Sequence, residues 1–298
     1  KSKKENTIMA NILVTGSKGQ LGTELRKTGF TLLDEVFYTD LPELDITDEQ
    51  AVWNFVREKE IDTIVNCAAY TAVEQAEEEK ERAAFINTTA VANLAKVAAA
   101  EDCLLIHIST DYVFDGTATV PYTEKDRPCP QNVYGMTKWE GERAIQKSGC
   151  LAVILRTAWL YSANGNNFVK TILRLASEKG EVSVVADQIG TPTYAADLAK
   201  VIVEIVAENE LENTVEIYHY TNEGACSWYE FAREIIAQSG IECKVHPLTT
   251  AQYPTKAKRP AYAILDKTKI KRRYGIEIPL WQEALGRCLT ALSETDKG

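Results

Sequence analysis

The sequence predicts an α/β protein built on a doubly wound parallel sheet. Short apolar runs alternate with helical segments through the first half of the 298 residues. The first run ends in a glycine-rich turn that opens a helix. Helices cover both faces of a parallel sheet, so its buried strands read as nearly unbroken apolar runs.

Asn11-Ile12-Leu13-Val14-Thr15 is the first expected strand, and a helix follows from about Gly19 to Lys27. Val36-Phe37-Tyr38-Thr39 is the second strand. Thr47-Asp48-Glu49-Gln50 has the spacing of a capping box and predicts a helix to about Lys59. Thr63-Ile64-Val65-Asn66 is a third strand, 104–109 a fourth, and Leu151 to Leu155 a fifth. Helices are expected at about 74–80, 83–101 and 134–148. The acidic stretch from Glu74 to Arg82 reads as a solvated helix face. Residues 9–156 thus read as a dinucleotide-binding Rossmann domain.

The pattern loosens after residue 157. Helices are expected at about 168–178, 195–208, 227–239 and 281–293, with strands near 182–185 and 216–221. Residues 157–298 read as mainly a substrate-binding domain, with segments near 195–222 returning to the sheet. Residues 1–8 are polar and basic and read as a tag or disordered leader.

Hydrophobic residues at 45% and charged residues at 26% suit a chain with a sizeable core and exclude a disordered one. The formal charge of −10 argues against general affinity for nucleic acid or an anionic membrane. No uninterrupted apolar run approaches the ~18 residues that span a bilayer. The 7 cysteines are scattered without a Cys-x-x-Cys, so neither a disulfide framework nor a zinc site is expected, and a reducing cytoplasm fits. His107 lies in the apolar run Leu104-Leu105-Ile106-His107-Ile108 and reads as a hydrogen-bonded core imidazole.

Gly16-Ser17-Lys18-Gly19-Gln20-Leu21-Gly22 follows the first strand with G-x-x-G-x-x-G spacing. Glycine there permits a tight turn, close approach of backbone to pyrophosphate, and close helix–strand packing. Amides at the helix start then face the phosphates. Asp40 ends the second strand, where an acid hydrogen-bonds the adenosine ribose and repels a 2′-phosphate, favouring NAD. Lys18 offers a cation to that same phosphate, so NADH and NADPH both remain candidates.

Tyr134-Gly135-Met136-Thr137-Lys138 puts a tyrosine and a lysine on one helix face. A phenol titrates near pH 10, and a neighbouring ammonium is expected to draw it down towards the working range. Ser109-Thr110-Asp111 ends the fourth strand, where a hydroxyl can donate to a carbonyl oxygen beside the tyrosine. In open α/β sheets, ligands bind at the carboxyl ends of the strands.

With these residues in view, the chain resembles the extended short-chain dehydrogenase/reductase superfamily and, within it, the dTDP-4-dehydrorhamnose reductase family. The matching stretches are Val14 through Gly22, Asn66 through Val73, Ser109 through Gly116, Tyr134 through Lys138, Arg156 through Tyr161, Gly165 through Phe168, and Gly190 through Thr193. The resemblance implies reduction of the C4 carbonyl of a dTDP-4-keto-6-deoxy sugar by NADPH or NADH. It implies that Thr110, Tyr134 and Lys138 are catalytic. It places Gly19-Gln20-Leu21, Asp45-Ile46 and Ala68-Ala69-Tyr70-Thr71 on the cofactor. It places Asp111, Tyr112 and Trp159 on the sugar, and Asn167 and Arg259 on the nucleotide part of the substrate. Some members of the family dimerise through a magnesium ion held by glutamates. Glu24 occupies one matching place, without a full ligand set, and a homodimer is the implied partner. A dehydratase of this superfamily would carry Thr-Asp-Glu where this chain has Thr110-Asp111-Tyr112. Another nucleotide-sugar epimerase or dehydratase of the superfamily is one alternative, and a non-catalytic regulatory subunit that binds the cofactor is the other.

Overall fold

In the computed structural model, residues 10–31, 33–208, 211 and 214–295 are described. The leader expected over residues 1–8 lies outside them. Strand β1 (Asn11–Thr15) is flanked by β2 (Glu35–Tyr38) and β3 (Thr63–Asn66), followed outward by β4 (Leu104–Thr110) and β5 (Ala152–Thr157). Every pairing is parallel, and the sheet order begins 2-1-3-4-5. The chain leaves β1 towards one edge and returns at β3 on the other side, so the strand order reverses between β1 and β3. That reversal opens a crevice at the carboxyl ends of these strands.

The strands form because their side chains are buried on both faces. Ile64 and Leu105 face one apolar core, and Ile12, Val65 and Ile106 face the other. The first core is closed by α2 (Glu49–Glu58), α5 (Ala90–Ala100) and α6 (Val133–Ser148), through Val52, Val56, Leu94 and Ile145. The second is closed by α1 (Gln20–Thr28) through Leu21 and Leu25.

Two local expectations are corrected. The N-cap of α2 is Asp48, whose carboxylate accepts from the Ala51 amide; Thr47 instead donates its hydroxyl to Asp45 at 2.7 Å. A carboxylate at the helix start also meets the positive end of the helix dipole, which favours Asp48 over the hydroxyl. The helix expected over 83–101 is not uniform. Short helices α3 (Val73–Ala76) and α4 (Lys80–Ala84) lead into a π-helical turn at Phe85–Thr89 before α5. Among the described residues, one helical run, Lys80–Ala100, is long and apolar enough to cross a membrane, and half of its most apolar stretch is buried within the fold.

A further core forms after β5. β6 (Leu160–Tyr161), α7 (Phe168–Lys179), β7 (Glu181–Val185), β8 (Ile189–Gly190) and β9 (Thr193–Tyr194) come first. Helix α8 (Ala195–Glu208) then packs on α1, and β10 (Val215–His219) pairs with β5 as the sixth strand of the sheet. β11 (Cys226–Ser227), α9 (Trp228–Ser239), β12 (Lys244–Leu248), α10 (Thr268–Tyr274) and α11 (Trp281–Thr295) complete the chain. Val169, Ile172, Phe231, Ile235 and Leu285 are buried at the centre of this core.

Candidate active site

The glycine turn sits at the crevice. Gly16 has φ +64°, and a Cβ there would lie 2.6 Å from the Ala68 amide nitrogen, so only glycine serves. Gly22 packs against the same turn, where a Cβ would lie 2.5 Å from the Gly16 carbonyl oxygen. No side chain caps α1, so the amides of Gln20, Leu21 and Gly22 begin a helix open to an anion. These residues suit a dinucleotide pyrophosphate.

Asp40 and Lys18 are already engaged around this turn. The Lys18 amide donates to Asp40 at 3.0 Å, and the Leu41 amide donates to its other carboxylate oxygen at 2.9 Å. The Lys18 ammonium donates to the Leu41 carbonyl at 2.9 Å and pairs with Glu43 at 3.2 Å. Asp45 is exposed and ties down Thr47, while Ile46 is buried in the core beside α2.

After β3, the segment Cys67 to Thr71 lines the other side of the crevice. Asn87, in the π-helical turn, holds it: its amide accepts from the Tyr70 N–H at 2.9 Å and donates to the Tyr70 carbonyl at 3.0 Å and to Thr137 at 3.1 Å. This clamp joins the expected cofactor segment to α6. Sequence reasoning missed it, although an asparagine inside an apolar helix is a usable signal.

Thr110 ends β4 and Asn132 caps α6 by accepting from the Gly135 amide at 2.8 Å. The cap brings Tyr134 into the first turn of α6, where its ring meets Tyr112 edge-on, 5.6 Å between centroids. Thr110 donates to Asp111 at 2.9 Å. The Asp111 carboxyl is pushed up to about 7 by burial, which outweighs its hydrogen bonds. Its Oδ2 has no partner among the described residues, although a buried polar atom left unpaired is costly. A polar ligand atom would satisfy it.

The expected effect of Lys138 on Tyr134 is corrected. Burial raises the Tyr134 hydroxyl well above its usual range, Asp111 and Tyr112 add to the rise, and the Thr110 hydroxyl opposes it. Lys138 is itself buried, and its amine donates to the Ile108 carbonyl at 2.6 Å rather than acting on the phenol. Burial pulls that amine down to about 8, against the charge of Glu142.

Trp159 adopts φ +48°, an uncommon backbone for a bulky residue, and stacks on Trp228 with centroids 3.5 Å apart. Trp228 was not singled out from sequence. Asn167 caps α7, accepting from the Lys170 amide, and donates to Gln20 at 2.9 Å. Its amide thereby joins the loop before α7 to the first turn of α1. Arg259 donates to the Tyr112 hydroxyl at 3.0 Å and to Glu74 at 2.7 Å.

The acidic stretch is therefore not an idle solvated face. Glu74 holds Arg259, Glu78 pairs with Lys256, Glu77 accepts from the Val133 amide, and Glu79 accepts from Tyr70. Carboxylates on this face take partners because the segment before Tyr262 brings cations to them. Among the described residues, no group of three His, Cys, Asp or Glu could hold a metal ion. Glu24 accepts from Asn164 at 2.8 Å and pairs with Lys27, so within one chain the glutamate matched to the implied magnesium is already engaged.

A glycine turn at the strand-order reversal, a hydroxyl at the end of β4, and a tyrosine and lysine one helical turn apart define an oxidoreductase of the extended short-chain dehydrogenase/reductase class. A family model described as "RmlD substrate binding domain" matches residues 9–294. The dTDP-4-dehydrorhamnose reductase of Aggregatibacter actinomycetemcomitans is 45% identical over 93% of this chain and 97% of its own length. A dTDP-4-dehydrorhamnose reductase structure from Clostridium acetobutylicum superposes with TM-score 0.90 at 42% identity, covering 95% of this chain and 99% of that one. The Bacillus anthracis structure in complex with NADP gives TM-score 0.91 at 38% identity, over 95% of this chain and all of the other. The chain belongs to the dTDP-4-dehydrorhamnose reductase family.

Proposed function

We propose that this protein reduces the C4 carbonyl of dTDP-4-dehydro-L-rhamnose to give dTDP-L-rhamnose, with NADPH or NADH. The convergence of Thr110, Tyr134 and Lys138 beside the glycine turn carries the reading. When bound, a reduced nicotinamide supplies the hydride. Tyr134, kept protonated by its burial, gives its proton to the developing alkoxide. The Thr110 hydroxyl, which donates to Asp111 in the free protein, turns to donate a hydrogen bond to the same oxygen. Lys138 holds the nicotinamide ribose. Asp111 and Tyr112 line the sugar, and Trp159 closes over it. Arg259 and Asn167 face the nucleotide part of the substrate. The gap between β1 and β3 holds the pyrophosphate on Gly19, Gln20 and Leu21. In this reading the site is cytoplasmic and serves a soluble nucleotide sugar.

The test is cofactor oxidation with freshly made dTDP-4-dehydro-L-rhamnose. Absence of oxidation with both NADPH and NADH would remove this reading. A net reductase must exchange its cofactor at every turnover. Purified protein should therefore carry little bound nucleotide after gel filtration and bind NADPH reversibly at micromolar levels, an ordinary range for a substrate. Stoichiometric NAD that survives gel filtration and stays bound through turnover would favour an epimerase or dehydratase instead.

Asp40→Ala removes a carboxylate beside the ribose site and also frees the Lys18 amide. The kcat/KM ratio of NADPH to NADH should rise roughly tenfold, equivalent to about 1.4 kcal/mol. An unchanged ratio would show that Asp40 only shapes the turn.

A further inference from the structure

His107 is fully buried in β4, directly behind Lys138. Its surroundings fix where its proton sits. Thr15 donates to Asn66 Oδ1 at 2.7 Å, and the Ala68 amide donates to that oxygen at 3.2 Å. An amide nitrogen could not accept from the Ala68 N–H, so the Asn66 side chain cannot be turned over. It must present its NH2 to His107 Nδ1, 3.0 Å away. Nδ1 is then the acceptor, and the neutral imidazole carries its proton on Nε2. Burial and the nearby Lys138 keep His107 uncharged, well below its ordinary range.

Nε2 lies 3.3 Å from Lys138 Nζ. An ammonium has three donors and no acceptor, so it cannot answer an N–H donor. A neutral amine can: its lone pair takes the Nε2–H while one of its own hydrogens goes to the Ile108 carbonyl at 2.6 Å. We propose that His107, locked as the Nε2–H tautomer by Asn66, is a positioning residue that docks Lys138 through its neutral amine. Lys138 then takes up one proton from solvent when it turns to hold the nicotinamide ribose. The protonation state of the lysine is thereby coupled to cofactor binding. This rests on the proposed role of Lys138 at the ribose.

The groups facing the amine are His107 from β4, Cys67 after β3, and Glu142 one turn further along α6. Glu142 is itself paired with Arg156 and accepts from Ser109. Burial favours the neutral amine, Glu142 favours the charged one, and the His107 donor tips the balance towards neutral.

The first measurement needs no cofactor. Nitrogen-15 NMR of the 3 histidines, with His107→Gln for assignment, reads the tautomer directly. A neutral Nε2–H imidazole across the pH range of the fold is expected. An Nδ1–H tautomer, or a His107 that charges near neutral pH, would overturn the proposal. The second is calorimetric titration with NADH at roughly pH 8.5, above the amine's lowered range, in two buffers of different ionisation enthalpy. Wild-type protein should take up a large fraction of a proton per NADH, and Lys138→Met none. His107→Gln keeps an acceptor and a donor in the same order and should keep the uptake. Asn66→Asp accepts from Nδ1–H, turns Nε2 into an acceptor for an ammonium, and should abolish it. NADH binding without proton uptake by wild type would sink the proposal, whereas failure of NADH to bind at all would sink the cofactor reading, with the tautomer still measurable.

Discussion

Tyr134→Phe should lower kcat by roughly 10²–10⁴-fold, the range for a lost general acid, and leave NADPH affinity nearly unchanged. Only the hydroxyl is lost. The edge-on contact with Tyr112 belongs to the ring, so phenylalanine should hold the same position. The Asn132 cap that sets the first turn of α6 is untouched. What disappears is a proton donor whose burial keeps it protonated. Because the hydroxyl lies above its usual range, the wild-type rate should not fall through ionisation of Tyr134 anywhere near neutral pH. Its loss from the variant should therefore appear as a uniform drop across the pH profile. Steady-state oxidation of NADPH, with binding measured separately by fluorescence, separates the two effects. Near-normal turnover would show that Tyr134 is not the proton donor.

Much of the sheet was legible because buried parallel strands carry their signal in a few consecutive residues. The runs at Asn11–Thr15 and Thr63–Asn66 are strands in the structure with the expected bounds. β12 was missed because Lys244-Val245-His246-Pro247-Leu248 is polar and contains a proline, tolerable only because β12 pairs on one side, with β7. α10 was missed because Thr268–Tyr274 is basic and buries only Ile270, so it has no apolar stripe to read. Within the site, the Tyr134–Lys138 spacing and the glycine turn are local and could be read directly. The partners of each residue are not local. Lys138 meets His107 across the gap between α6 and β4, Asn87 reaches Tyr70 and Thr137, and Arg259 reaches Glu74. Such contacts depend on how elements pack, and no spacing in the chain announces them. The expectation that Lys138 acts on Tyr134 failed for this reason: proximity on one helix face left out the carbonyl and imidazole that the neighbouring strand presents.

Arg156→Met should destabilise the fold by about 3–5 kcal/mol, the scale for stripping one partner from a buried ion pair. Arg156 on β5 and Glu142 on α6 are 2% and 1% exposed. The guanidinium grips both carboxylate oxygens, through Nε at 2.9 Å and Nη2 at 2.7 Å, and Ser109 donates to one of them at 2.5 Å. Arg156 also lies 5.1 Å from the Phe114 ring centre and within 3.5 Å of His219 Nε2. His219 donates from Nδ1 to the Tyr122 carbonyl, so its Nε2 is free to accept from the guanidinium. Methionine fills part of the volume and leaves Glu142 buried with only the Ser109 hydroxyl. The cost therefore comes from an uncompensated carboxylate rather than from lost attraction alone. That distinction is measurable. Glu142→Gln in the Arg156→Met background removes the stranded charge and should recover roughly half of the loss, a coupling within the range for residues sharing one network. The midpoint of urea unfolding, at unchanged slope, reports both values. The double variant should also change chemistry, because Glu142 is the charge that favours the ammonium of Lys138 against burial. Without it the amine should titrate lower still, and the proton taken up on NADH binding should become detectable at a lower pH than in the wild type. Additive losses in the two single variants would mean that the pair contributes through packing, and that the carboxylate of Glu142 is not held in place by Arg156.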